Sequence, residues 1–144
     1  MQGNANKNNM TQQNYPFSIE LAVRDYECDL QGIVNNAIYQ HYLEHARHEH
    51  LRHGGIDFAK LTAEGIHLVM VRIEIDYKKP LKSGDRFVVY SRAKRESALR
   101  FVFEQAICRL DDHVVMVEAR MLGAAIGPNG RPIKPDVLNP ICSE

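Results

Sequence analysis

Arg24-Asp25-Tyr26-Glu27-Cys28-Asp29-Leu30-Gln31-Gly32-Ile33-Val34-Asn35-Asn36-Ala37-Ile38-Tyr39-Gln40-His41-Tyr42-Leu43-Glu44-His45-Ala46-Arg47 is the stretch where one periodicity gives way to another. Just before it, Phe17, Ile19, Leu21 and Val23 alternate with Ser18, Glu20, Ala22 and Arg24. A period of two predicts a half-buried strand. Within the stretch, Ile38, Tyr39, Tyr42, Leu43 and Ala46 recur at three- and four-residue spacing, the apolar stripe of a helix. Between the two lies Asp29-Leu30-Gln31-Gly32, a break where glycine permits unusual backbone angles. Asn35-Asn36 follows as a helix N-cap pair. The helix is predicted to reach His53 and to stop at Gly54-Gly55. Asp57 then caps a shorter helical segment, with Phe58 and Leu61 as its apolar side, ending at Gly65.

Downstream the chain reads as strands. Ile66 to Lys79 is rich in β-branched residues and ends at Pro80. Ser83-Gly84-Asp85 is a turn, and Arg86 to Arg95 and Leu99 to Leu110 are the next two strands. Asp111-Asp112-His113 turns into Val114 to Ala125, and Gly127-Pro128-Asn129-Gly130 is a further turn. Connections this short require mostly antiparallel pairing. The expectation is an α+β fold, an antiparallel β-sheet of about five strands with one long helix across it. One helix is too narrow to cover such a sheet. Strands such as Ile66–Lys79 carry apolar residues on both sides, so a second subunit is expected to cover the remainder.

Composition narrows the classes. The chain has 144 residues, the size of one domain. Formal net charge is zero, against the basic excess of a dedicated nucleic-acid binder. No apolar run approaches the ~18 residues of a membrane helix, so membrane insertion is not expected. Cys28, Cys108 and Cys142 are widely spaced and form no CxxC, which fits a reducing compartment and a cytoplasmic location. Residues 1–14 are polar and Asn/Gln-rich and read as a disordered N-terminal arm, leaving residues 15–144 as the domain.

The chemistry concentrates at Asp29. It precedes a helix N-terminus, whose unsatisfied N–H groups can stabilise a carbonyl oxygen as it becomes an oxyanion. A carboxylate nearby can attack that carbonyl or deprotonate water. On spacing alone, an Asp in such a loop is more often a turn residue and Asn-Asn a cap.

Asp29-Leu-Gln-Gly-Ile-Val-Asn-Asn-Ala-Ile-Tyr39 resembles the signature of the hydroxybenzoyl-CoA thioesterase family, closest to the bacterial acyl-CoA thioesterase branch associated with the Tol–Pal system. Tyr39 to Arg47 resembles the family's central helix, Tyr77-Lys-Lys-Pro80-Leu-Lys-Ser-Gly84-Asp85 its next strand and turn, and Gly127-Pro-Asn-Gly-Arg-Pro132 its last hairpin. The resemblance covers about residues 17–138. It implies the hot-dog fold, a sheet wrapped around a long helix, with two subunits sharing one continuous sheet and active sites at their interface. The implied activity is hydrolysis of an acyl-CoA to a carboxylic acid and free CoA, with no cofactor, since coenzyme A is part of the substrate. The catalytic carboxylate falls on Asp29, as nucleophile or general base, and the carbonyl-polarising backbone amide on Asn36. Gly32, Val34, Asn35 and Tyr39 fall on the motif's substrate-binding side. Arg95 and Arg100, among basic residues that include Lys78, Lys79, Lys82, Lys94, Arg131 and Lys134, are candidates for the CoA phosphates. The chain departs from that branch at Asn36, where the branch often has His. Other readings are an acyl carrier protein as the thiol carrier, and a non-catalytic module that binds acyl thioesters or a protein. A homodimer or homotetramer is expected.

Three further features read as structural. His41, His45, His48 and Arg52 share one helical side, and His48-Glu49-His50-Leu51-Arg52 nearly spells HExxH, with Arg52 where the second His must stand. A solvated or interface face is expected there, and no metal site. Cys28 is expected to be a packed thiol pointing away from Asp29. Glu44 is expected to orient a loop or to pair with Arg47 or His48.

Overall fold

The computed structural model describes residues 14–143; apart from Asn14, the expected arm lies outside the described residues. Its elements are β1 (Phe17–Ala22), α1 (Asn36–His53), α2 (Phe58–Ala63), β2 (His67–Tyr77), β3 (Arg86–Arg95), β4 (Arg100–Arg109), β5 (Val115–Ile126), β6 (Pro132–Ile133) and β7 (Cys142–Ser143). The five long strands form one antiparallel sheet in the order β1-β3-β4-β5-β2. Two-residue strands add to it: β6 pairs with β5, and β7 runs parallel to β3. The expected five-strand antiparallel sheet is therefore present, with two short additions.

β1 and β2 are consecutive strands at opposite edges, and this topology makes α1 a crossover. The helix, ~27 Å long at ~1.5 Å per residue, lies along one face of the sheet. Its stripe of Tyr39, Tyr42, Leu43, Ala46 and Leu51 is buried. Against it stand the inward residues of the strands, Ile19 and Leu21, Phe87 and Val89, Ile107, Val117, and Ile73 and Ile75. A second apolar cluster, around Phe101, Phe103, Met121 and Leu138, packs under the C-terminal half of α1 and under α2. Gly123 faces Phe101 across the β4–β5 pair, and a Cβ there would lie 2.4 Å from the ring. The glycine keeps an aromatic ring in the sheet where any side chain would displace it.

Four polar side chains are buried within this layer. Arg47 Nη1 donates to Gln105 Oε1 at 3.1 Å, Gln105 Nε2 donates to the Leu43 carbonyl at 3.0 Å, and His50 Nδ1 lies 3.1 Å from Ser91 Oγ. His50 also stacks on Phe17 at 4.8 Å. These bonds tie the middle of the helix to β3 and β4.

β1 and β2 are the edge strands of the sheet. β2 has no neighbour on its outer side among the described residues, and Val69, Met70, Val71 and Tyr77 along it are exposed. Its register with β5 shifts between Met70 and Arg72, which makes Val71 the extra residue of a bulge.

Candidate active site

Asp29 does not sit at a strand end, as the alternating pattern before it suggests. β1 ends at Ala22, a 3-10 turn follows over Asp25–Glu27, and Asp29 opens a small hairpin bridged between Cys28 and Val34. Asp29 N–H donates to the Ile33 carbonyl at 2.9 Å, and Gly32 N–H to the Asp29 carbonyl at 3.0 Å. Gly32 takes φ 81° with nothing near a built Cβ, so the turn needs its backbone freedom rather than its small size. The hairpin lies on the β2–β3 connection: Val34 N–H donates to the Leu81 carbonyl at 2.9 Å, and Ile33 bridges Lys82.

Within the turn, Asp29 Oδ1 accepts from the Gln31 N–H at 2.8 Å and the Ile33 N–H at 3.4 Å. Oδ2 has no hydrogen-bond partner among the described residues, and the residue is exposed. The turn thus fixes the carboxylate through one oxygen and leaves the other free.

Asn35 is the N-cap of α1. Its side chain accepts from the Ala37 N–H at 3.0 Å, and its carbonyl from the Ile38 N–H at 2.9 Å. Asn36 is the first helical residue, so of the expected Asn35-Asn36 pair it is Asn35 that caps. The Asn36 N–H has no partner among the described residues. Its carbonyl accepts from the Tyr77 hydroxyl at 3.3 Å, which places the end of β2 beside this terminus.

Glu27 clamps the assembly together, a role that no periodic pattern signals. Its Oε1 accepts from the Tyr42 hydroxyl at 2.8 Å and from the Arg24 N–H at 2.7 Å. Its carbonyl accepts from the Asn35 N–H at 3.1 Å. Burial first, then the bond to Glu27, raises the Tyr42 pKa far above the usual phenol value, so this hydroxyl keeps its proton and remains a donor. Beside the pair opens a cavity of about 370 Å³ lined by Leu21, Arg24, Glu27, His41 and His45 among others; Asp29 and Asn36 are not part of its wall.

The remaining motif residues support the loop from beneath. Val34 is buried in the core. Tyr39 is 2% exposed, and its hydroxyl accepts from the Leu81 N–H at 2.9 Å. Its one polar atom is engaged and the ring is covered, so within this chain Tyr39 positions the β2–β3 connection. Gly32 accepts from the Ser83 N–H at 3.3 Å. Arg95 and Arg100 lie elsewhere. They flank the β3–β4 hairpin, whereas the Asp29 hairpin packs at the Arg86 end of β3, ~30 Å away along a ten-residue strand. Arg95 is bound to Asp136 and, at 2.9 Å, to Asn139, so it ties down the chain that follows β6. Within one chain these two arginines do not join Asp29.

His41, His45, His48 and Arg52 are exposed, as the helical spacing predicts. Among the described residues no group of three or more His, Cys, Asp or Glu side chains is placed to hold a metal ion. Cys28 packs against the core, and burial, then Asp25 and Asp29, raise its pKa, so the thiol stays protonated and unreactive. Glu44 makes no ion pair with Arg47 or His48; Arg47 turns inward to Gln105 instead.

A carboxylate with one free oxygen and a helix N-terminus with one free N–H thus occupy adjoining turns. A family model described as the thioesterase-like superfamily matches residues 23–140, most of the chain. The chain belongs to this superfamily. An acyl-acyl carrier protein thioesterase of Arabidopsis thaliana, described as chloroplastic, is 37% identical over 116 residues, 81% of this chain and 61% of that protein. The chain spans about three-fifths of the length of this relative. The long-chain acyl-CoA thioesterase FadM of Escherichia coli strain K12 is 30% identical over 100 residues, 69% of this chain and 75% of FadM. The crystal structure of a hypothetical protein from Aquifex aeolicus superposes with a TM-score of 0.79 at 30% identity, over 88% of this chain and 99% of that one. The superfamily's hot-dog fold accounts for the long helix held against an antiparallel sheet.

Proposed function

We propose that the chain is a thioester hydrolase that cleaves an acyl-CoA to a carboxylic acid and free CoA. The observation that carries the reading is the free Asn36 N–H at the head of α1, beside a turn that holds Asp29 with one carboxylate oxygen unengaged. The thioester carbonyl oxygen accepts from the Asn36 N–H, and the helix terminus stabilises the charge that develops on it. Asp29 then acts in one of two ways. Oδ2 attacks the carbonyl carbon, the thiolate departs, and water hydrolyses the resulting anhydride. Alternatively, Oδ2 takes a proton from a water that attacks the carbonyl. The leaving thiol, with a pKa of about 8.5 by analogy with cysteine, needs little acid assistance. Glu27, Tyr42 and Tyr39 act by holding the turn.

The working unit in this reading is a dimer formed through β2. The exposed edge of Val69, Met70 and Val71 is an open template for a second copy, and two antiparallel copies join into one sheet. Leu30, fully exposed at the tip of the Asp29 turn, is covered in the same event. Arg95 and Arg100 can reach a CoA held at Asp29 only from a neighbouring subunit.

Acyl carrier protein is the second reading for the thiol carrier, favoured by the name of the Arabidopsis relative. Hydrolysis of the same acyl group on CoA and on carrier protein, read by free thiol, decides between them. Asp29→Asn keeps an Oδ1 acceptor for the turn and should lower kcat by ~10²-fold or more. A folded Asp29→Asn protein with wild-type turnover on both carriers defeats the assignment.

A further inference from the structure

Arg47 is 6% exposed, yet its hydrogen bonding among the described residues is a single contact, Nη1 to Gln105 Oε1. No buried side-chain nitrogen or oxygen is orphaned among the described residues, so the remaining Arg47 donors are accessible. They open onto a cavity of about 120 Å³ that Arg47 lines with Leu51, Leu68, Met70, Phe103 and Met121. Glu44 and His48 stand at the same cavity without an ion pair to Arg47. Burial lowers the Arg47 pKa and Glu44 raises it again, but an arginine stays cationic at neutral pH. A guanidinium with free donors, beside the Glu44 carboxylate and His48 on otherwise apolar walls, is poorly matched to a hydrocarbon occupant and suits a neutral oxygen acceptor, because a second carboxylate would meet Glu44.

Symmetry says which end of a thioester reaches it. Leu68 and Met70 come from the first half of β2, whereas Tyr77, bound to the Asn36 carbonyl, ends it. A twofold axis near the middle of an antiparallel β2–β2 pair lays the first half of one strand against the second half of the other. The cavity of one subunit then faces the Asn36 terminus and Asp29 turn of its partner.

We propose that this cavity receives the far end of the acyl group cleaved at the partner subunit's Asp29, and that Arg47 makes it select an acyl group ending in a hydroxyl. The inference rests on the thioesterase reading of Asp29 and on β2 pairing. The cavity is small, about 120 Å³, which suits a short chain.

The test compares kcat/KM for hexanoyl-CoA, 6-hydroxyhexanoyl-CoA and adipoyl-CoA. The wild-type protein is expected to favour 6-hydroxyhexanoyl-CoA over hexanoyl-CoA by about tenfold, as a hydrogen bond to a charged group allows, with adipoyl-CoA, whose carboxylate meets Glu44, behind it. Arg47→Met is expected to reverse that order. A wild-type preference for hexanoyl-CoA, or an Arg47→Met dimer that keeps the wild-type order, overturns the proposal. A second measurement needs no change at Arg47. Asp29→Asn and the cavity-filling Leu68→Trp, each inactive alone, are mixed and allowed to exchange subunits. Half of the dimers then carry one intact site, so about a quarter of wild-type activity returns. No return of activity, or a fully active Leu68→Trp protein, overturns the shared cavity. An Asp29→Asn protein that is itself active defeats the thioesterase reading instead, so the two failures are distinct.

Discussion

Asn36 permits a sharp test because its backbone and side chain have separable roles. The proposed oxyanion donor is the N–H of the first helical residue, and proline is well tolerated at that position. Asn35, before it, already has φ −63° and ψ 139°, the extended conformation that a following proline requires. Asn36→Pro is therefore expected to keep the fold and lose the N–H, lowering kcat by ~10²–10³-fold, whereas Asn36→Ala keeps most activity. Steady-state kinetics on both proteins, with melting curves as controls, check this; equal activities would place the oxyanion donor elsewhere. Asn35→Ala should instead lower stability by about 0.5–2 kcal/mol through the lost cap, read by urea denaturation. Which of two adjacent asparagines caps the helix depends on where the hairpin before them ends, and the motif alone does not fix that.

At the scale of the element, α1 carries a buried histidine. Burial holds the His50 pKa down at about 4, with His53 adding to the effect. The neutral ring, 3.1 Å from Ser91 Oγ and stacked on Phe17, is the form that fits the core. The unfolded chain binds this proton near pH ~6.5 and the folded chain only near 4. Stability from this group is complete above pH ~6.5 and falls as pH drops towards 4, by up to ~1.4 kcal/mol per pH unit for one proton. Urea titrations at pH 7.5 and 5 should show a steeper loss for wild type than for His50→Gln; parallel losses would remove His50 as the cause. Helical spacing places His41, His45 and His48 on the exposed side, and they are exposed. The same spacing does not say that Arg47 and His50 are buried, because that depends on Gln105 and Ser91, more than forty positions away.

At the scale of the whole molecule, β2 presents an outer edge with no neighbour among the described residues. Val71 is 50% exposed on an edge strand whose Ile73 and Ile75 pack inward against the core. Val71→Lys, a charge on that edge, should weaken the β2–β2 pair. Under the proposed β2 pairing, the wild type sediments as a dimer and the variant as a monomer at the same concentration, and activity falls with dimer content. A fully active Val71→Lys monomer would refute both the dimer and the shared site. Among the described residues no helix is long and apolar enough to cross a membrane.

The linear pattern determined the elements and their kinds. Period two in β1, the α1 stripe from Asn36 to His53, the glycine stops and the hairpin turns are local properties, set by side-chain alternation and backbone freedom within a few residues. Motif order then tied Asp29 and Asn36 to a hydrolytic family. Tertiary structure decided what each motif residue touches. It buried Tyr39 and Val34, chose Asn35 of the pair as the cap, bound Arg95 to Asp136 ~30 Å from the Asp29 turn, and gave Glu27 to Tyr42. Each of these is a contact between residues distant in sequence or a choice between neighbouring atoms. Periodicity holds no information about either, because it records which face a side chain shares and not what stands opposite it.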